Sequence, residues 1–215
     1  VTAATRDSAP ADETDGTDRG LERLVFFSDA VIAIAMTLLA IELPLPEGDD
    51  DAARWRSLGE LLTGEYLSFL LSFVVIGAFW SVHHRLFQRV ARLGPWITWL
   101  NLIFLFTIVV LPLATRLHRQ EGAEQVGVVV YAAVVVGVGV SLLLLLWQLH
   151  RAGLLRPDAP PGTVRGAAQA ISVPVFAFAI SIPVAFVSTA AARYTWLLPV
   201  LVLLVVRGYR RWQRA

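Results

Sequence analysis

Long apolar runs alternate with short, arginine-bearing polar segments along almost the whole chain. The hydrocarbon core of a bilayer, about 30 Å thick, is crossed by a helix of about 20 apolar residues. Six runs meet that requirement, near residues 24–43, 66–86, 96–115, 126–148, 167–190 and 194–210. The pattern predicts an all-α integral membrane protein with six transmembrane helices per chain. The fifth run holds Pro174 and Pro183, each of which removes a backbone donor and predicts a kink. Ahead of the first run, residues 1–22 are rich in Asp, Thr, Ala and Gly and read as a disordered acidic arm. The arm lacks the basic start and apolar core of a signal peptide, so the first run reads as a retained helix. The chain then divides into the arm, a transmembrane domain over 23–210 and a short basic tail over 211–215.

Charge fixes the expected orientation. Only 16% of the 215 residues are charged, against roughly a quarter in a soluble domain. All eighteen basic residues are Arg. Thirteen of them fall in the arm, the second-to-third loop, the fourth-to-fifth loop and the C-terminus; five fall in the other three loops. Arginine marks the cytoplasmic side, so both termini are expected inside a bacterial inner membrane, with the acidic stretch Glu47 to Asp51 outside. Trp96, Trp99, Tyr194, Trp196 and Trp212 lie near span ends, where interfacial aromatics collect. A net charge of +1 gives no reason to expect a nucleic-acid partner. The absence of Cys excludes disulfides and thiolate chemistry.

Polar residues inside spans are functional candidates, because lipid penalises them. The first run carries Ser28, Asp29 and Thr37, the second ends in Trp80, His83 and His84, and the third carries Asn101. Asp29 and Asn101 each lie about five residues in from the same side of the membrane, the side where the histidines end the second run. One cluster of Asp29, a His and Asn101 is therefore expected, since carboxylate, imidazole and amide can satisfy one another. Such a cluster reads either as a staple between three helices or as a proton or cation site.

At about 100° per residue, Ile34, Thr37, Leu38 and Ile41 fall within a sector about 100° wide, with Asp29 on the opposite side of the helix. That stripe reads as lipid-facing or as ordinary helix packing on periodicity alone. Trp80-x-x-His83-His84 lacks the Glu and the spacing of a metalloprotease. A potassium-filter sequence, a phosphate loop, a nucleophile elbow and a metal-ligand set are all missing, so no enzyme is expected and no cofactor. Gly127, Gly137 and Gly139 in the fourth run allow either close helix contacts or plain apolar packing.

Arg23-Leu24-Val25-Phe26-Phe27-Ser28-Asp29 fits R-x-x-x-F-S-D at the start of a transmembrane helix, followed by Ala33-Ile34-Ala35-Met36-Thr37-Leu38-Leu39. With Phe79-Trp80-x-x-His83-His84-Arg85-Leu86-Phe87 and Asn101-Leu102, this resembles the endosomal and lysosomal potassium channel family and its bacterial homologues. The likeness covers the first three helices.

The resemblance implies a potassium channel without a carbonyl filter. It implies a homotetramer of six-helix chains, with self, membrane lipid and potassium ions as partners and a central pore lined by the first helix. It places Ile34, Leu38 and Ile41 at an apolar constriction and Thr37 at a hydroxyl-bearing layer. It assigns Arg23, Ser28, Asp29, Trp80, His83, His84 and Asn101 to a network within each subunit. The alternative is a proton-coupled transporter relaying protons through Asp29, His83 and His84. The lack of an inverted repeat speaks against it.

Overall fold

The structure, a computed structural model, describes residues 11–41, 43–120, 122 and 124–198. Seven helices form among them: α1 (Ala11–Ile41), α2 (Asp51–Thr63), α3 (Glu65–Phe87), α4 (Ile97–Arg119), α5 (Glu124–Arg151), α6 (Thr163–Ala185) and α7 (Thr189–Thr195). Five stretches are long and apolar enough to cross a bilayer: α1, α3 with α2 running into it, α4, α5 and α6.

The second, third and fourth predicted spans coincide with α3, α4 and α5. The other expectations change. α1 starts at Ala11, so its helix extends back through the second half of the segment expected to be disordered. Leu21, near the end of that segment, is buried. The fifth run, expected to continue to residue 190, stops at Ala185. Both prolines lie inside the helix; it closes where the N–H groups of Val187 and Ser188 turn back onto the Val184 carbonyl at 2.9 Å. Ser188 then caps α7, accepting from the Ala191 N–H at 3.2 Å. Of the expected sixth span, 194–210, only 194–198 are described, and Tyr194 and Thr195 there close α7; the remainder lies outside the described residues, as does the basic tail.

α2 was not predicted, and its cause is local. The α1 run ends at Pro44 and Pro46, which cannot continue a helix. Asp50 in the acidic stretch then acts as an N-cap, its carboxylate accepting from the Ala53 N–H at 2.7 Å. None of the α2 residues is buried, and α3 follows directly after Gly64.

α5 sits at the centre, packed on α4 along one side and α6 along the other. Gly127 and Gly139 permit this: a methyl at Gly127 would stand 2.6 Å from the His118 backbone, and one at Gly139 would collide with Val175. Gly137 meets only ordinary contact with Thr107. α1 lies against α3 and α4 at the edge of the bundle. Its buried positions, Leu21, Leu24, Ser28, Ile32, Ala35 and Leu39, step by three and four residues, as one helix face must.

Candidate functional site

The expected single cluster is divided into two. Adjacent residues on a helix point about 100° apart, and both Ser28-Asp29 and His83-His84 use that divergence. The first chain of contacts is buried. The Ser28 hydroxyl donates to the Leu24 carbonyl at 2.7 Å and accepts from Asn101 Nδ2 at 2.8 Å. The Asn101 amide oxygen lies 2.8 Å from His83 Nε2. Since that oxygen only accepts, Nε2 carries the proton. The His83 ring stacks on Phe104 with centroids 4.9 Å apart and the planes within 8°. Ser28, His83 and Asn101 are all inaccessible to solvent, so α1, α3 and α4 are tied through a dry seam.

The second chain of contacts is at the edge. Trp80 Nε1 donates to Asp29 at 2.8 Å. His84 Nδ1 stands 3.8 Å from the other carboxylate oxygen, too far for a hydrogen bond. Trp80 and His84, one helical turn apart, have ring centroids 5.3 Å apart, and Gln88 holds the far His84 nitrogen at 2.9 Å. The Asp29 and His84 side chains are both about one-third exposed, at 33% and 35%. Asp29 thus joins Trp80 and His84, not His83 and Asn101. Arg23 is exposed and joins neither chain of contacts among the described residues.

The stripe on α1 faces away from the subunit. Ile34 is 59% exposed and Ile41 76%, and Leu38 is exposed beside them. Phe27, seven residues before Ile34 and also exposed, continues the same face; its spacing could have flagged it. Thr37 is exposed too, and its hydroxyl donates to the Ile34 carbonyl at 2.8 Å. The proton of that hydroxyl is engaged by the helix, which leaves oxygen lone pairs directed outward.

A polar group at the opposite end of the bundle was missed. Ser72 Oγ lies 3.1 Å from the Tyr131 hydroxyl and 2.9 Å from Thr115 Oγ1, joining α3, α4 and α5. Tyr131 packs on Trp196 with centroids 5.0 Å apart. Ser72 and Thr115 are polar residues within spans, the same signal that found Ser28 and Asn101. Beside them a cleft of about 600 Å³ is lined by Pro44, Glu65, Arg116, Arg119 and Gln120. Its lining mixes both signs of charge.

Residues 23–112 match the family model described as the endosomal/lysosomal potassium channel TMEM175. A Streptomyces collinus protein named as a potassium channel is 33% identical over 173 residues, covering 77% of this chain and 82% of its own. The human protein named endosomal/lysosomal proton channel TMEM175 is 28% identical over 138 residues, 64% of this chain but 27% of its own length. The crystal structure of a lysosomal potassium-selective channel TMEM175 homologue from Chamaesiphon minutus superposes with a TM-score of 0.71 at 24% identity. That match covers 86% of this chain and 97% of the other. At that identity the likeness speaks for the fold.

Proposed function

The chain belongs to the TMEM175 family, and from that premise we propose that it forms a potassium-permeable cation channel with an apolar constriction on α1. Four copies surround a central pore, and the face of α1 carrying Ile34, Thr37, Leu38 and Ile41 lines it. One observation carries this reading: α1 buries Ser28, Ile32, Ala35 and Leu39 in its own subunit and turns that stripe outward. An outward apolar face on a membrane helix meets lipid or a pore, and the relatives named as potassium channels favour the pore.

In this reading a ring of Ile34 side chains narrows the pore and gates it by dewetting, with Leu38 and Ile41 extending the apolar stretch. Such a ring has no oxygens to replace an ion's hydration shell. The outward lone pairs of Thr37 are the available ligands on the stripe, so selectivity for potassium is modest. The buried Ser28–Asn101–His83 seam and the Asp29–Trp80 contact hold α1 at a set rotation, and Arg23, which joins neither among the described residues, extends toward a neighbouring copy. In the same reading the α3–α4 and α5–α6 loops face the cytoplasm of a bacterial cell, a side that the arginine asymmetry supports.

Potassium-driven flux into liposomes, with sodium in a parallel set, tests the proposal. Ile34→Asn wets the constriction and raises the flux; an unchanged flux removes Ile34 from the gate. A second reading has one observation in its favour. Asp29 and His84 form a part-exposed pair 3.8 Å apart, and animal relatives are named proton channels. His83 is turned away into the seam with Asn101, so of the three residues of this reading Asp29 and His84 are the two left to relay a proton. Proton flux that survives Asp29→Asn counts against that path.

A further inference from the structure

We propose that the end of the bundle formed by the α3–α4 and α5–α6 loops binds anionic phospholipid headgroups. The two loops are distant in sequence but form one surface. Val90 and Leu155 pair in an antiparallel bridge. The Ala91 N–H donates to Leu154, and the Arg156 N–H donates to Arg89, both at 2.8 Å. The seam is tight, because a methyl at Gly94 would stand 2.8 Å from Leu154. The side chain of Arg89 reaches across it to the Thr163 hydroxyl at 3.3 Å.

This pairing merges two groups of cations. Arg85, Arg89 and Arg92 come from one side, and Arg151, Arg156 and Arg165 from the other. Between residues 85 and 96 and between 151 and 165, Asp158 is the single acidic residue. None of the six arginines forms an ion pair among the described residues. Guanidinium groups match phosphate oxygens with paired hydrogen bonds, so the surface suits a phosphodiester.

Its level in the membrane selects the source of that phosphate. Arg151 lies 5.0 Å over the ring of Trp147, one turn earlier on α5, and Trp147, Trp96 and Trp99 are all exposed. Indole rings settle at the headgroup level, which puts the arginines among the headgroups. Basic pockets between helices on the cytoplasmic side take up anionic lipid in this way. The proposal needs the spans but not the pore, so it stands or falls apart from the channel reading.

The test is native mass spectrometry of the full chain in detergent, offered equal amounts of phosphatidylglycerol and phosphatidylcholine. Retention in detergent does not depend on which way the chain inserts. Wild type retains phosphatidylglycerol preferentially. Each arginine near an anionic surface contributes roughly a fivefold preference, so R92Q/R156Q/R165Q loses at least about tenfold, whereas R92K/R156K/R165K keeps most of it. Should the triple glutamine variant fail to fold, Arg156→Gln alone is read, with a loss of about fivefold; that side chain makes no hydrogen bond among the described residues. Equal retention of both lipids by wild type overturns the proposal, as does a glutamine variant with undiminished preference. Displacement of the lipid by millimolar inorganic phosphate also overturns it, in favour of a soluble anion.

Discussion

α1 and α5 are both long apolar helices, and the chain uses them in opposite ways. Half of the most apolar stretch of α5 is buried within the subunit, at 50%, against 28% for α1. α5 has protein on several sides and relies on Gly127 and Gly139 to bring α4 and α6 close. α1 has protein on one side, and there its polar residues Ser28 and Asp29 find partners. From Phe27 onward its other side is apolar except for one hydroxyl. Apolarity reports what a helix avoids; only packing reports which face has been left for something outside the subunit.

Substitutions on the two helices should therefore separate. The largest effect on function is expected from Ile34→Asn, which should raise cation flux several-fold while leaving the subunit folded, since Ile34 makes no part of its core. Flux in liposomes and size-exclusion chromatography check both halves of that statement. The largest effect on stability is expected from Gly139→Val in α5. Forcing a branched side chain against Val175 should cost about 1–3 kcal/mol and lower the thermal unfolding midpoint, with the potassium-to-sodium ratio of any remaining flux unchanged. Asn101→Ala leaves Ser28 and the His83 Nε2 proton without their partner. Hydrogen bonds between membrane helices contribute about 0.6 kcal/mol each on average, so losing the two made by Asn101 should cost about 1.2 kcal/mol in an unfolding titration, toward the lower end of the range for Gly139→Val. The smallest effect is expected from Thr37→Val, which keeps the shape and removes the lone pairs. It should narrow the difference between potassium and sodium flux and leave stability within about 0.5 kcal/mol. If the ion preference is untouched, Thr37 takes no part in selectivity.

The sequence was most legible where hydropathy alone decides. The spans of α3, α4 and α5 emerge within a few residues, because long apolar runs admit little else in a bilayer. The angular arithmetic also separated the Ile34 stripe from Asp29, since rotation along one straight helix is regular. The pairing of Asp29 was not legible. It depends on how α3 is rotated against α1, and His83 and His84 point to different neighbours for reasons no single helix contains. α2 went unseen because its residues are polar enough to read as loop, although three consecutive acidic residues before an Ala pair carry an N-cap. The end of α6 shifted because its last N–H groups turn back onto Val184 and Ser188 caps a new helix, and the apolar run passes through that break unmarked. Bringing Val90 beside Leu155 is a property of the folded loops alone.

The central claim is that the outward face of α1 meets ion-conducting water and not lipid. The chain contains no Cys, so single cysteines report without background. Ile41→Cys, on the most exposed stripe position, should react with a membrane-impermeant, charged thiol reagent, and the reaction should block potassium flux in liposomes. Phe176→Cys, at an exposed position of α6, should leave the flux unaltered under the same treatment. An Ile41→Cys protein that stays unreactive, or one that is fully modified and conducts as before, would place that face against lipid and contradict the account.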